Sequence, residues 1–344
     1  MRVAVNSRVT AFSMGGQQRV TAEILKRLGD VDSVSPSQPL GGLKGHIWEQ
    51  AVLPLRSVGK LLWSPSATGP ILKRNQVVTL HDVAFVDAPQ FFAANFARAY
   101  RLLTPPLMKA AKKIVTVSEF SRDRIVATLG VDPAKIEVIG NGVSEHFRQY
   151  APDAIAATRA ALGLPARYLL LQATSDRRKN IHRALEAWVA ALPDLPPDVE
   201  LAVAGNLARA HVFGDVGAIG ETPRVKLLGY VAEEHMGPLF AGAEAFLFPS
   251  LYEGFGLPIV EAMACGAPVL TSAATATQEV AGGAALLVDP ESTTEIARGI
   301  VTLTKDADLR ARLAAQGLER AKVYTWDDAA ARYRDLFQSL GATL

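Results

Sequence analysis

One cysteine in 344 residues, Cys265, excludes an internal disulfide and fits a reducing compartment. It lies in an apolar helical stretch, where a lone thiol reads as buried filler rather than as a nucleophile. Aromatic residues are few, at 7%, and they are not interleaved with the basic ones, so no nucleic-acid partner is expected. No stretch approaches the ~18 uninterrupted apolar residues of a spanning helix. The first ten residues, MRVAVNSRVT, contain no apolar core of a secretory signal. A cytoplasmic protein is the expectation. The six histidines stand in no ligand spacing with one another, which argues against a protein-bound metal.

Net charge is also nearly absent at +2, but it is unevenly spread. Residues 1–160 carry 20 Lys and Arg against 12 Asp and Glu; residues 161–344 carry 16 against 22. Much of the positive excess falls in Arg98, Arg101, Lys109, Lys112, Lys113, Arg122 and Arg124. A solvated helical face explains it, and so does contact with an anionic membrane surface, worth ~1 kcal/mol per basic residue close to it. Length suggests two domains.

What is there in abundance is strand, turn and helix in succession. Val3 to Val5, Val77 to Leu80, Ile114 to Val117 and Ile136 to Ile139 read as strands of a first α/β unit, and Tyr168 to Gln172 restarts the series in a second. Residues 35–70, rich in Pro, Gly and Ser, resist assignment. The densest signal is FPSLYEGFGLPIVEAMACGAPVLTS, Phe248 to Ser272. A strand ends at Phe248, a loop carries Gly254 and Gly256, and Pro258 suits the first turn of a helix. Free amides at such a helix start favour an anion. Glu253 and Glu261 flank the turn, and a helix starting near Pro258 places Glu261 in its first turn, where the dipole favours a carboxylate. Phosphates on the amides with carboxylates left for sugar hydroxyls describe a nucleotide diphosphate-sugar site.

Two further turns support an anion. Asp176-Arg177-Arg178-Lys179-Asn180 puts three cations ahead of a helix, against the usual preference for negative charge there, and a bound anion would relieve the conflict. Met14-Gly15-Gly16 opens the first helix after the first strand. His81 stands at the carboxyl end of a strand, where open α/β sheets bind ligands. Asp30-Val31-Asp32 and Asp306-Ala307-Asp308 match a metal-holding Asp-x-Asp formally, yet neither follows a strand that could aim both carboxylates, and both read as turn or cap residues.

The run EGFGLPIVEAMACGAPV resembles the Glu-x7-Glu signature of the family 4 retaining glycosyltransferases. VTVSEFSRDRI, Asn141-Gly142-Val143, Arg178-Lys179-Asn180 and LLGYV resemble other parts of that family in the same order. The resemblance implies a GT-B fold: two facing Rossmann-like domains with parallel sheets, 1–160 for the acceptor and 161–326 for the donor, with a final helix, 327–344, crossing back to the first. It implies that Glu253 lies against the donor sugar, that Gly254, Phe255, Gly256 and Leu257 line the sugar and diphosphate, and that Glu261 holds the ribose. It further implies that Arg178 and Lys179 clamp the diphosphate, that Gly15, Gly16 and His81 meet the donor from the first domain, and that Tyr230 and Val231 touch the base. Where many members have Gly-Arg or Gly-Thr before the clamp, this chain has Ala173-Thr174.

The reading is a retaining, metal-independent hexosyltransferase with no cofactor. It is most similar to bacterial mannosyltransferases of polysaccharide synthesis, which implies GDP-mannose as donor and a glycan or polyprenyl-diphosphate-linked acceptor. A UDP- or dTDP-sugar donor and a non-catalytic nucleotide-sugar sensor are the alternatives. A dinucleotide-dependent dehydrogenase is set aside, because Met14-Gly15-Gly16-Gln17-Gln18 is not Gly-x-Gly-x-x-Gly.

Overall fold

The computed structural model describes residues 1–11, 15–174, 176–205 and 222–344; Met14 of the first glycine turn lies outside them. The chain forms two compact units, Met1–Gly142 with Thr325–Leu344, and Val143–Tyr324. This grouping differs from a boundary at 160. The helix Pro152–Ala161 belongs to the second unit, where Ile155 lies on Gly242 and the preceding Tyr150 on Gly237, two positions without a Cβ to keep them apart.

In the first unit the strands are β1 (Val3–Asn6), β2 (Asp32–Val34), β3 (Leu61–Ser64), β4 (Gln76–Thr79), β5 (Lys113–Thr116) and β6 (Ile136–Val138). They pair in the order β2-β1-β3-β4-β5-β6, all parallel. β1, β3 and β4 are buried along their whole length, as expected of short aliphatic strands covered on both faces. β3, with the fully buried Trp63, comes from the stretch whose composition hid it. The last helix, Trp326–Ser339, packs on this sheet: the Trp63 and Tyr333 rings are 5.0 Å apart, and both Trp63 Nε1 and Tyr333 Oη lie 3.0 Å from Thr79 Oγ1.

In the second unit β7 (Arg167–Gln172), β8 (Val199–Ala204), β9 (Val225–Gly229), β10 (Ala245–Phe248), β11 (Val269–Ser272) and β12 (Leu286–Val288) pair in parallel as β12-β11-β10-β7-β8-β9. Trp188, fully buried on the helix Ile181–Ala191, anchors the core over β7 and β8. The strand order reverses between β7 and β10, so their carboxyl ends border a crevice with no crossover over it. In the first unit the corresponding point lies between β1 and β3. Both Asp-x-Asp matches are structural: Asp32 pairs with Arg2 and Lys60 at 3.0 and 2.7 Å, and Asp306 accepts from Leu309 N at 2.8 Å as a helix cap.

Candidate functional site

The loops leaving β7 and β10 are the two the sequence singled out, and the structure joins them. After β7, Arg177–Lys179 form one 3-10 turn, capped by the Asp176 carboxylate, which accepts from Arg178 N at 3.0 Å. Asn180 follows in the left-handed region, φ 59°, which Asn tolerates better than other non-glycine residues. From there its side-chain amide donates to the carbonyls of Pro249 and Pro290 at 2.9 and 2.7 Å. Leu251 N donates to Arg178 O at 2.7 Å. The cationic turn is thereby fastened to the loop after β10.

Lys179 Nζ donates to Glu253 Oε1 at 2.7 Å and stands 4.6 Å above the Phe248 ring. Both side chains are mostly buried, at 17% and 14% exposure, where a charge needs its partner. Arg178 makes a forked pair with Asp176, its Nε and Nη2 reaching the carboxylate at 3.0 and 2.6 Å. Burial works to raise the Asp176 pKa, but the Arg178 bonds and charge outweigh it and hold the carboxyl below its ordinary value. The sequence suggested a bound anion to settle three adjacent cations; the protein's own carboxylates pair two of them.

The turn after β10 is held from behind. Glu253 N donates to Thr275 Oγ1 at 3.3 Å, and Ala276 N to Glu253 O at 3.4 Å. Thr275 has φ 56°, an outlier for a β-branched residue, and backbone strain of this kind collects at working sites. Gly256 closes the turn at φ 95°, ψ 53°, a conformation that strains any side chain, and caps the helix Leu257–Ala264. Phe255 turns its ring inward, edge-on to Tyr324 at 5.4 Å, so the backbone of the turn, not this side chain, is what the site can offer.

Glu261 requires a correction. The helix begins at Leu257, with no acidic residue in its first turn, so Glu261 is its fifth residue and lies beyond the strongest reach of the dipole. It is nonetheless 5% exposed. Behind it Cys265 is buried, its thiol pushed up to about 12 by burial with Glu261 adding to the effect, which fits filler and not a nucleophile. At the end of the edge strand β9, Tyr230 is 78% exposed while Val231 is buried. Gly254 lies in the turn after β10, two residues before Gly256.

In the first unit, Gly15 caps and Gly16 opens the helix Gly16–Leu28. Gly15 has φ −141°, extended backbone that any residue adopts, and a Cβ on Gly16 would meet open space. Backbone conformation therefore does not demand glycine at either, although a Cβ on Gly15 would lie 2.9 Å from Gln18 Oε1. His81, buried at the end of β4, lies with Nε2 3.1 Å from Pro65 O. A carbonyl only accepts, so Nε2 carries the proton and Nδ1 is the accepting nitrogen. Desolvation pushes the ring below its ordinary pKa, over the opposing pull of Pro65 O and Asp82, so the imidazole is neutral.

The sequence reading named Asp176 and Asn180 within the cationic turn without giving either a role, although a carboxylate before a 3-10 turn is a readable cap signal, and it did not name Thr275. It also missed the network at the first unit's own strand reversal. There Glu49, fully buried, accepts from Asn6 Nδ2, Arg8 Nε and Thr68 Oγ1 at 2.8, 3.1 and 2.7 Å, with His46 Nδ1 at 3.4 Å. Burial works to raise its pKa, and these bonds overcome it, keeping the carboxyl below its usual value.

Comparison with known proteins shows the family and the fold. A model described as glycosyl transferases group 1 matches residues 167–306, and one described as glycosyltransferase family 4 matches residues 61–147. The chain is 31% identical over 255 residues to the O-antigen chain mannosyltransferase B of Escherichia coli, covering 73% of this chain and 67% of that protein. It spans smaller shares of other curated relatives, 56% of a D-inositol 3-phosphate glycosyltransferase among them. Sucrose-phosphate synthase of Thermosynechococcus elongatus superposes with TM-score 0.77 at 20% identity over 99% of both chains. HepE of Anabaena, solved with UDP and glucose, gives 0.76 at 20% identity over 98% of this chain and 100% of its own. At such identities the likeness is one of fold.

Proposed function

The chain belongs to the family 4 glycosyltransferases, with the GT-B fold, and from that premise we propose that it transfers mannose from GDP-mannose, with retention, to a hydroxyl of a glycan or lipid-linked glycan. The observation that carries this reading is the meeting of Arg178, Lys179, Glu253 and the Gly256 turn at the strand reversal of the second unit. The mannosyl donor is favoured by the Escherichia coli relative.

The chemistry follows from the pairs. A diphosphate entering the crevice competes with Glu253 for Lys179 and with Asp176 for the Arg178 fork. Glu253, released from its cation, is then an acceptor for sugar hydroxyls, and buried Glu261 is one for the ribose. As the bond from the sugar's anomeric carbon to the phosphate oxygen breaks, charge grows on the diphosphate, where fixed cations and the amides of Phe255, Gly256 and Leu257 are most effective. The acceptor oxygen bonds to the anomeric carbon on the face the phosphate leaves, and the departing phosphate oxygen takes its proton. Glu253 polarises the sugar and forms no covalent bond to it. Neutral His81 and the Gly15-Gly16 turn are assigned to the sugar and donor, and Tyr230 and Val231 to the base. No step calls on a metal ion.

A thermal-shift panel of GDP, UDP, dTDP and ADP tests the donor. GDP at a hundred times its dissociation constant should stabilise the protein by about 2.7 kcal/mol, more than any other member of the panel. UDP or dTDP giving the largest shift overturns the GDP-mannose assignment, and a flat panel overturns the nucleotide site. Full stabilisation without transfer to any glycan acceptor would make the protein a sensor.

A further inference from the structure

At the strand reversal of the first unit a charged pair is enclosed almost out of reach of water: the Glu49 side chain is 0% exposed and that of Arg8 11%. Glu49 Oε1 alone accepts from Asn6 Nδ2, Arg8 Nε and Thr68 Oγ1. Arg8 Nη2 lies 3.4 Å from the same Thr68 hydroxyl, and Nη1 donates to Leu40 O at 3.0 Å. Room for the guanidinium is kept by Gly45, on the same helix as Glu49, Gly42–Ala51, where a Cβ would stand 2.5 Å from both Arg8 Nη1 and Leu40 O. Taking both charges out of water is expensive, and a well-packed apolar replacement is often as stable. The use of the pair is therefore to be sought in the geometry it fixes.

What it fixes is the loop from Pro65 to Ile71, between β3 and β4. Glu49 holds Thr68 Oγ1 at 2.7 Å, while the next residue on the helix, Gln50, donates to Gly69 O at 2.8 Å and accepts from Ile71 N at 2.9 Å. Ala67 N donates to Thr79 O at 2.8 Å. Ala67 has φ 59°, a left-handed conformation that alanine keeps only where its surroundings over-determine it. The loop's remaining fastening is Pro65 O, 3.1 Å from His81 Nε2. A strained segment thus has the imidazole at one end and the buried carboxylate at Thr68, three residues on.

We propose, resting on the assignment of His81 to the donor sugar, that Glu49 is a positioning residue for that imidazole. Through Thr68 it holds the loop after β3 in the conformation in which Pro65 O accepts from Nε2–H, leaving Nδ1 as the ring's acceptor for a sugar hydroxyl. Glu49 itself touches no substrate. A carboxylate grips its three donors more firmly than an amide oxygen would, since hydrogen bonds to an ionised acceptor are roughly twice as strong.

Thr68→Val removes the linking hydroxyl and keeps the volume, so the variant should fold. With GDP-mannose as donor its kcat should fall by roughly tenfold or more, because a small misplacement of a group beside the reacting bond is felt strongly. GDP affinity, which involves no sugar contact, should stay at the wild-type value. Nitrogen-15 NMR of the His81 ring should change from the single Nε2-protonated tautomer to a mixture, and Thr68→Ser should restore both readouts. Glu49→Gln should also slow transfer, and combining it with Thr68→Val should add little, because the two act through one hydrogen bond. Wild-type kcat in Thr68→Val, a single tautomer retained there, or losses that simply add in the double variant overturns the proposal. His81→Ala separates the two readings. If it slows transfer while Thr68→Val does not, only the role of Glu49 falls; if it transfers at the wild-type rate, the assignment of His81 falls and the proposal with it.

Discussion

Alanine at both Arg178 and Lys179 is expected to lower transfer by at least about 10³, because each group stabilising developing charge in a water-poor site typically contributes 10²–10³. Such groups act as a unit, so the double variant need not lose the product of the two. kcat should fall further than KM rises, since the charge they face grows during bond breaking. The variant should fold. Asp176 and Glu253 lose their partners, at 30% and 14% exposure, which costs about 1–3 kcal/mol each at most and lowers Tm without abolishing the transition. Lys179→Arg should recover part of the rate, because a guanidinium can keep both the Glu253 pair and the position over Phe248. Wild-type rates in the double alanine variant would remove these residues from the mechanism; steady-state kinetics with a fixed acceptor decides it.

Gly205→Ala should be the most damaging single methyl group in the second unit. Gly205 has φ 138°, a region essentially closed to side chains, and a Cβ there would lie 1.6 Å from Ala173 O. The contact is forced by the sheet: Ala173 N donates to Ala204 O and Gly205 N to Gly229 O, each at 2.7 Å, lacing the ends of β7, β8 and β9 together. Backbone, not a flexible side chain, would have to move, so a loss of about 3–5 kcal/mol in urea unfolding is expected. Asp176, which caps the Arg178 turn, lies three residues beyond Ala173, and nucleotide affinity should fall with stability. Unchanged unfolding would mean the strand ends are looser than their hydrogen bonds indicate.

Much of the donor side was legible because its signals are local. A strand, two glycines, a proline at a helix start and flanking carboxylates all lie within Phe248 to Ser272, and the cationic turn spans five residues. Their meeting was not legible from residue patterns: it depends on β7 and β10 being neighbours, with Leu169 opposite Ala245, a long-range pairing that only sheet order supplies. The same holds for Glu49, whose partners Asn6 and Arg8 at the end of β1 and Thr68 after β3 come from two segments distant in sequence. Glu261 was placed one residue too early in its helix, just inside the first turn, because Pro258 reads as the first helical residue, whereas the left-handed Gly256 starts the helix at Leu257. The stretch 35–70 failed for another reason: its Gly, Pro and Ser content masks β3, and Trp63 looks like a loop aromatic until Thr79 and Tyr333 are seen to enclose it. Gly15 and Gly16 were singled out as an anion-friendly turn, and their backbone conformation does not by itself require glycine.

The most direct test is a crystal of the full chain soaked with GDP. The account predicts the diphosphate within hydrogen-bond distance of Lys179 Nζ, the Arg178 guanidinium and the amides at Gly256 and Leu257, with Glu253 displaced from Lys179 and Glu261 on the ribose hydroxyls. A nucleotide bound away from the β7 and β10 loops, with the Lys179–Glu253 and Arg178–Asp176 pairs intact, would contradict it.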